Sequence, residues 1–296
     1  MSRVLVTGMT GFFGAKIAEC LRARAFDVFG TTSGPALPLC YPCDIRDSAQ
    51  VDALVERISP DVIVHCAAIS GVTINLAVEY YQTNVLGTEN LLKSAGHLGK
   101  RVRFMHISTA GVYGNQSREF LDEDLEPLPV QHYGLSKYCS ERLVKVNAEN
   151  LDFTIIRPFN IIGAGQSRNF IVPKLIAAFA ARQAQIRLGN IDVYRDYVDV
   201  DSACEIVCDL VGMTRSFCET INLCTGIGTS LREVLSYMAK IGGYEIEVIV
   251  APEFVRLDEV WKLLGSRIKL DRILGRPIPM YPVEKTLLKM YEQACS

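Results

Sequence analysis

The 296-residue sequence lacks a strong charge of either sign. Its 31 Lys and Arg residues nearly balance 33 Asp and Glu residues, which leaves a formal net charge of -2. Such a chain has no overall field that attracts a polyanion, so no nucleic-acid partner is expected. It also lacks an apolar run of the roughly 20 residues that a membrane-spanning helix needs, so no membrane partner is expected.

Histidine is scarce, with 4 residues, and the 10 cysteines are scattered along the chain. Cys40 and Cys43 form a C-x-x-C, but no second pair or His lies near them in sequence, so two buried reduced thiols are favoured over a metal site. Cys204 and Cys208, one turn apart on an apolar helix, have the same interpretation. These thiols, and an N-terminus that enters a strand pattern without a signal peptide, predict a cytoplasmic protein with no bound metal.

Strand and helix patterns alternate along the first half of the chain. Short apolar runs predict strands at 3–7, 28–32, 39–43, 62–66, 103–107 and 153–157. Helical spacing separates them at 12–25, 48–58, a long stretch that ends near 96, and 133–148. Apolar strands that alternate with helices indicate a parallel sheet covered on both faces. We therefore predict an α/β fold with a doubly wound parallel sheet of the Rossmann type.

Three glycines at intervals of three lie between the first strand and the first helix. The segment comprises Gly8, Thr10, Gly11, Phe12, Phe13 and Gly14. Glycine lets the backbone turn sharply and approach a pyrophosphate, which the free N–H groups and the helix dipole attract. A glycine trio alone is often only a turn, but within a strand–turn–helix unit it favours a dinucleotide site.

The end of the second strand bears on the choice of dinucleotide. Thr31, Thr32 and Ser33 lie where an NAD-selective site usually carries Asp or Glu for the ribose hydroxyls. The missing negative charge favours NADP over NAD, although no Arg adjoins these residues in sequence. Asp44 and Ile45, just after the third strand, are placed to meet the adenine, but an Asp there is also an ordinary turn or capping residue.

Beyond Pro158 the regular alternation breaks at several glycines and prolines. We predict a dinucleotide-binding domain at 1–160 and a smaller C-terminal substrate-binding lobe at 161–296, with some segments returning to the first domain. Ligands of such sheets bind outside the carboxyl ends of the strands, so the expected site is a cleft between the two parts.

Tyr133 and Lys137 are four residues apart at the start of a predicted helix, which places both side chains on one face. A tyrosine with an ordinary pKa of about 10 is a poor proton shuttle at neutral pH. A neighbouring ammonium favours the phenolate and brings this pKa closer to the working range. Thr109, at the end of the preceding strand, can hold a substrate oxygen. A Tyr and a Lys one turn apart also occur on many solvated helices. The prediction therefore depends on Thr109, Tyr133 and Lys137 occurring together.

Five segments occur in a set order: TGxxGFxG from residue 7, HCAA from 65, NVLGT from 84, STAGVYG from 108 and YxxxK from 133. In this order they resemble the extended short-chain dehydrogenase/reductase family, of the NAD-dependent epimerase/dehydratase type. The later segments RPFNIIGAGQ from 157 and RDYVDVD from 195 are similar to its sugar-nucleotide segments.

The resemblance implies specific roles for individual residues. The implied catalytic residues are Thr109, Tyr133 and Lys137. Further implied cofactor contacts are Ala67, Ala68, Asn84, Lys137 and Pro158, with Asn84 supporting the cofactor or the active-site helix. The implied substrate contacts are Ser70, Ser108, Thr109, Asn160, Arg195 and Arg256. For any one of these arginines taken alone, a solvated surface position is the favoured interpretation. Relatives pair two of their helices across a two-fold axis, so the resemblance also implies a homodimer.

The residues after Thr109 help to sort the chemistry within the family. Ala110 and Gly111 carry no carboxyl group, unlike the 4,6-dehydratases and decarboxylases, and Gly111 is not the Cys of the fucose-synthase branch. The overall pattern most resembles reductases of GDP-4-keto-6-deoxy-D-mannose and related sugars, although those reductases usually have an acidic residue where Gly111 stands.

We therefore predict NAD(P)H-dependent reduction of a 4-keto group on a nucleotide-linked deoxyhexose, with Tyr133 as the proton donor. The resemblance to the GDP-sugar reductases implies GDP as a candidate nucleotide. Two alternatives stay open: an NDP-sugar 4-epimerase that holds NAD tightly, and a dinucleotide-binding regulator that has lost catalysis.

Overall fold

The computed structural model of the chain describes residues 2–70, 77–254, 259–276 and 280–296. The strands in these ranges are β1 (Arg3–Thr7), β2 (Asp27–Thr32), β3 (Cys40–Pro42), β4 (Val62–His65), β5 (Val102–Ile107), β6 (Leu151–Pro158), β7 (Asn160–Ile162), β8 (Gln185–Leu188), β9 (Tyr194–Asp199), β10 (Glu219–Leu223), β11 (Gly228–Ser230), β12 (Glu247–Val250) and β13 (Lys262–Leu263). The α-helices are α1 (Phe12–Ala23), α2 (Ser48–Ile58), α3 (Val78–Tyr80), α4 (Gly87–Gly96), α5 (His132–Val146), α6 (Ile171–Ala180), α7 (Val200–Val211), α8 (Leu231–Gly242), α9 (Ile268–Leu274) and α10 (Val283–Cys295).

Seven parallel strands form the central sheet, in the order β10-β6-β5-β4-β1-β2-β3. The strand order reverses beside β1, which has β2 on one side and β4 on the other. In a doubly wound sheet this reversal leaves a crevice at the carboxyl ends of the strands. The predicted parallel α/β fold is confirmed. The crevice lies at the carboxyl end of β1, where the glycine-rich turn begins.

Alternate residues of the inner strands feed two apolar layers, one on each face of the sheet. Val4 and Val6 join the cluster that contains α1 and α7 residues, whereas Leu5 and Ile63 join the cluster with residues of α2, α4 and α5. Because both faces are covered, β4 and β5 are buried along their whole length, and Arg103 and His106 on β5 are buried with hydrogen-bond partners.

A third apolar cluster lies in the C-terminal part of the chain, built mainly from α6, α8 and α10 with β8 and β9. There β9 pairs with β7, β11 and β13, while β8 pairs with β12. The segment from α7 through β10 returns to the central sheet. No helix among the described residues is both long and apolar enough to cross a membrane.

Some helix boundaries differ from the sequence-based expectation. The long helix predicted from about Asn75 is interrupted by a π-helical turn at Tyr81–Leu86 between α3 and α4. Residues 71–76, where that prediction began, lie outside the described residues. Helix α5 ends at Val146, two residues early, because Asn147 turns its side-chain Nδ2 to the carbonyl of Leu143 at 2.9 Å and closes the last turn.

Helix α8 begins with a capping box. Ser230 Oγ accepts the backbone N–H of Glu233 at 3.1 Å, and Glu233 Oε2 accepts the backbone N–H of Ser230 at 2.7 Å. Together these bonds satisfy two groups that the helix start leaves without intrahelical partners.

We expect Ser230→Ala to lower the free energy of unfolding by about 1 kcal/mol, the usual value of a lost N-cap. Chemical denaturation at neutral pH measures this value. Ser236→Ala, at an exposed position inside the same helix, is the matched control and should be neutral or slightly stabilising. Equal unfolding free energies for wild type and Ser230→Ala would show that the capping box does not stabilise the lobe.

Candidate active site and dinucleotide cleft

Two adjoining cavities open at the carboxyl ends of the central strands, with volumes of about 270 and 630 Å³. They share the walls formed by Gly8, Gly11, Cys66 and Ala68, so they are two parts of one cleft. The smaller cavity reaches Thr109 and Tyr133, and the larger one extends past the ends of β2 and β3. The cleft is therefore long enough to join the predicted adenine and catalytic regions.

The backbone of the glycine-rich turn is packed so closely that a residue with a side chain would fit poorly at its glycine positions. Gly8 has a φ of +66°, and a Cβ at Gly14 would lie 2.3 Å from the carbonyl oxygen of Gly8. Gly11 N–H donates to that same carbonyl at 3.0 Å. The turn therefore brings bare backbone to the cleft at the start of α1.

The start of α1 fits a bound pyrophosphate. Gly11 is the N-cap residue of α1 and has no side chain with which to cap the helix. The first backbone N–H groups of the helix therefore stay available to an anion. Gly11, Phe12, Phe13 and Gly14 all line the smaller cavity. A dinucleotide diphosphate matches both the dipole of the helix and the space that the glycines leave.

The larger cavity contains the predicted adenine-side residues and adds a cation. Its walls include Thr10, Thr32, Ser33, Asp44, Ile45, Arg46 and Ala67. Arg46 Nη2 lies 2.6 Å from Asp44 Oδ2, and this hydrogen-bonded pairing keeps the pKa of the Asp44 carboxyl below its usual value. Arg46 therefore lines the same cavity as the uncharged end of β2, since β3 pairs directly with β2.

The catalytic candidates meet at the other end of the cleft. Tyr133 is partly exposed and lines the smaller cavity with Thr109, whereas Lys137 is buried one helical turn deeper. Thr109 Oγ1 accepts the backbone N–H of Gly111 at 3.1 Å, which fixes the hydroxyl at the end of β5. The ring of Tyr80 lies 6.2 Å from the ring of Tyr133, centroid to centroid. The structure therefore brings the predicted Thr, Tyr and Lys together.

The acidities of this pair differ from the sequence-based expectation. Burial raises the pKa of the Tyr133 phenol to about 12, although a hydrogen bond with Thr109 partly lowers it. Burial also lowers the pKa of Lys137 to about 8, opposed by the nearby charge of Glu141. The net pKa of the phenol is thus raised rather than lowered in the protein by itself, because desolvation is the largest effect on both groups.

A buried charged network lies beneath the catalytic residues. Glu141, one turn beyond Lys137 on α5, accepts a hydrogen bond from Ser108 Oγ at 2.5 Å. Arg157 donates to both oxygens of the same carboxylate, at 3.0 and 2.7 Å. Ser108 was predicted to bind substrate. It does line the cavity, but its hydroxyl points to Glu141, so its observed contact ties β5 to α5.

Asn84 lies within the π-helical turn and uses its whole amide internally. Its Oδ1 accepts the N–H of Ile69 at 2.8 Å, and its Nδ2 donates to the Ile69 carbonyl and to Ser136 Oγ at 3.1 and 3.0 Å. Asn84 therefore links the loop after β4 to α5. Of its two expected roles, these contacts match support of the active-site helix.

The predicted substrate residues are more dispersed. Ser70 lines the smaller cavity, as does Pro158, which was predicted to contact the cofactor. Asn160 begins β7, and its Oδ1 is buried without a hydrogen-bond partner in the described part of the chain. Arg195 is largely buried and donates to Glu259 Oε1 at 3.1 Å. Arg256 lies outside the described residues.

Several cavity residues were not predicted. In the smaller cavity these are Cys66, Ile107, Phe159, Ile161, Gln166 and Phe170, and in the larger one Pro42, Cys43, Arg46, Gln50, Ile69 and Thr83. Arg46 had a usable signal, since it directly follows Asp44 and Ile45. Phe159, Ile161 and Gln166 lie within RPFNIIGAGQ, whose likeness to a sugar-nucleotide segment was a signal for them, whereas Phe170 lies beyond it.

Residues 4–223 match the model of the NAD dependent epimerase/dehydratase family. The chain is 37% identical over 292 residues to the GDP-6-deoxy-D-talose 4-dehydrogenase of Aggregatibacter actinomycetemcomitans, covering 98% of this chain and 97% of that protein. It is 29% identical over 289 residues to the GDP-6-deoxy-D-mannose reductase of Pseudomonas aeruginosa, covering 92% and 91%.

A crystal structure of a protein from Burkholderia cenocepacia J2315 has a TM-score of 0.91 and 38% sequence identity to this chain, and covers 99% of this chain and 98% of that one. This similarity extends over both the sheet and the C-terminal lobe. With the glycine-rich turn, the Thr–Tyr–Lys arrangement and the family match, it leads to one conclusion: the chain belongs to the NAD dependent epimerase/dehydratase family of extended short-chain dehydrogenases/reductases, and is an NAD(P)-dependent nucleotide-sugar enzyme.

Proposed function

We propose that this enzyme transfers hydride at C4 of a GDP-linked 6-deoxyhexose and reduces the 4-keto sugar. The observation that carries the proposal is that Thr109 and Tyr133 line one cavity with the glycine-rich turn, while Lys137 is buried one turn further along the same helix as Tyr133. The absence of carboxyl groups at Ala110 and Gly111 favours simple hydride transfer over dehydration. The names of both similar enzymes specify GDP-linked 6-deoxyhexoses and an oxidoreduction, which supports the sugar class.

The bound nicotinamide supplies the hydride when the keto sugar is reduced. Tyr133 is placed to donate a proton from its phenol to the C4 oxygen, and Thr109 is placed to hold that oxygen by a hydrogen bond. The positive charge of Lys137 stabilises the phenolate that remains on Tyr133 after the proton leaves. The keto carbon thus gains one hydride and the oxygen one proton, giving the alcohol.

The raised pKa of Tyr133 is consistent with this direction. A phenol with a pKa of about 12 is fully protonated at neutral pH and so starts the reduction as an acid. The lowered pKa of Lys137, about 8, means that the supporting positive charge is lost as the pH rises through that value. The reduction should therefore be favoured below about pH 8.

We expect purified protein to oxidise NADPH in a one-to-one ratio with the reduction of GDP-4-keto-6-deoxy-D-mannose. Absorbance of the reduced nicotinamide and chromatography of the sugar nucleotide measure the two amounts. Interconversion of 4-epimers without net NADPH consumption would instead identify a 4-epimerase. Dinucleotide binding without any turnover across 4-keto sugar nucleotides would identify a non-catalytic regulator.

Tyr133→Phe in the same assay should lower kcat by roughly 100- to 10,000-fold, the usual contribution of a positioned proton donor. Dinucleotide affinity should stay within a few-fold of wild type. Tyr138→Phe is the matched control, since Tyr138 lies on the same helix but packs against the apolar cluster on the α1 and α7 face of the sheet. A rate unchanged by Tyr133→Phe would remove the proposed proton donor.

We further propose that NADP is preferred over NAD. The end of β2 presents Thr32 and Ser33 rather than a carboxylate, so nothing there repels a 2′-phosphate. Arg46 lines the same cavity and is exposed enough to turn from Asp44 toward that phosphate. A guanidinium binds phosphate by two parallel hydrogen bonds.

Arg46→Ala should lower kcat/KM with NADPH by about tenfold, because one exposed charge-assisted contact to the 2′-phosphate is lost. The value with NADH should change little, so the NADPH/NADH ratio is the readout. Arg57→Ala is the control, because Arg57 lies on α2 over the Tyr41 ring and does not line the described cavity. An unchanged NADPH/NADH ratio of kcat/KM in Arg46→Ala would show that Arg46 does not bind the 2′-phosphate.

A further inference from the structure

One buried carboxylate joins three elements that meet at the active site. Glu141 is 0% exposed and lies on α5, about two turns beyond Tyr133. Its Oε1 accepts the Ser108 hydroxyl at 2.5 Å and the Arg157 Nε–H at 3.0 Å, and its Oε2 accepts the Arg157 Nη2–H at 2.7 Å. The carboxylate therefore ties the helix that carries the proposed proton donor to the ends of β5 and β6.

The side of this carboxylate that faces β6 is anchored to rigid structure. The Arg157 guanidinium lies over the ring of Tyr113, 4.8 Å from the ring centroid, and that ring is fully buried. The Tyr113 hydroxyl donates to Asn222 Oδ1 at 2.7 Å, which connects the anchor to β10. Hydrogen bonds to an ionised group are short and strong, so the carboxylate has little freedom to rotate. Glu141 thus presents a fixed acceptor to Ser108.

Ser108 transmits this constraint to the predicted catalytic hydroxyl because it directly precedes Thr109. The Ser108 N–H donates to the carbonyl of Ile156 at 2.7 Å, and its hydroxyl is held by Glu141, so its backbone and its side chain are both fixed. Thr109 has an extended backbone, with a φ of -159° and a ψ of 148°. Successive side chains of an extended chain point to opposite sides, so a fixed direction at Ser108 also sets the direction at Thr109.

A second tie between β5 and α5 shows which part of the strand the Ser108 bond controls. His106 Nε2 and Ser140 Oγ are hydrogen-bonded at 2.9 Å, two residues earlier on the same side of the strand. The Ser108–Glu141 bond lies nearer the cleft, next to Thr109. Loss of this bond leaves the strand and the helix joined at His106 while it frees the strand end that carries Thr109.

We propose that Ser108 is a positioning residue, whose hydroxyl bond to Glu141 holds the Thr109 hydroxyl in place relative to the Tyr133 phenol. Ser108 also lines the cavity, so a direct bond to the sugar is the alternative that a test must separate. The Ser108–Glu141 contact does not depend on the substrate, and only its kinetic consequence rests on the proposed function.

Ser108→Ala removes the hydroxyl and leaves the Glu141–Arg157 pair intact. We expect kcat with GDP-4-keto-6-deoxy-D-mannose to fall roughly tenfold, less than the hundredfold that a misplacement of about 1 Å can cost. The dissociation constant of the same sugar nucleotide from its dead-end complex with NADP should stay within a few-fold of wild type, because no ligand contact is removed. A weaker dead-end complex with an unchanged kcat would make Ser108 a sugar-binding residue and would overturn the proposal.

Ser108→Thr keeps a hydroxyl at this position and should recover most of the lost kcat. A kcat as low as that of Ser108→Ala would contradict a role for the hydroxyl.

Ser216→Ala is the matched control for the loss of a buried hydroxyl. Ser216 is also buried, and its Oγ accepts from Arg103 Nη2 at 2.6 Å near the amino end of β5, away from the cleft. This variant should lower the midpoint of chemical denaturation much as Ser108→Ala does, and it should leave kcat unchanged. An equal fall of kcat in Ser216→Ala would show that lost stability, and not the position of Thr109, causes the effect.

Crystal structures of the wild type and of Ser108→Ala test the positioning role without turnover. Thr109 Oγ1 should be displaced relative to Tyr133 Oη in the variant, while Glu141 and Arg157 keep their places. A Thr109 hydroxyl that does not move would overturn the proposal, whichever reaction the enzyme catalyses. A displaced hydroxyl in a protein that reduces no 4-keto sugar nucleotide would refute the proposed function and support the positioning role.

Discussion

The burial of one ammonium group governs the active site. Lys137 lies one turn inside α5, between the helix and the carboxyl ends of β4 and β5, and is 1% exposed. Removing this charge from water is costly unless surrounding groups compensate, and desolvation is the largest effect on its pKa. The Glu141–Arg157 pair and the hydrogen bonds Asn84–Ser136 and His106–Ser140 all hold the helix that carries Lys137 in its place.

The sequence was most informative where chemistry and secondary structure coincide locally. The glycine-rich turn, the Tyr–Lys spacing and the alternation of strands and helices predicted the parallel sheet and the location of its cleft, because each depends on residues only a few positions apart. Arg46 was missed for the opposite reason. It shares a cavity with the end of β2 because β3 pairs with β2, and this pairing joins residues ten positions apart.

Orientation and burial account for the remaining differences. Ser108 lies at a strand end and was predicted to bind substrate. Its hydroxyl instead donates a hydrogen bond to Glu141, which lies 33 residues later. The pKa of Tyr133 was expected to fall because the sequence shows a lysine one turn away. It rises because the sequence does not show how much protein surrounds both groups. Residues 71–76 and Arg256 lie outside the described residues.

The last strand to join the central sheet comes from late in the chain. Strand β10 covers the outer edge of β6, and α7 packs against α1, where Arg24 Nη1 meets Asp209 Oδ1 at 2.6 Å across 185 residues. A fragment ending near residue 160 would leave β6 as an open edge and strip the apolar side of α1 of its cover. The nucleotide-binding half therefore cannot complete its central sheet during synthesis until more than two thirds of the polypeptide has left the ribosome. Until then, the open edge of β6 can pair with a wrong strand.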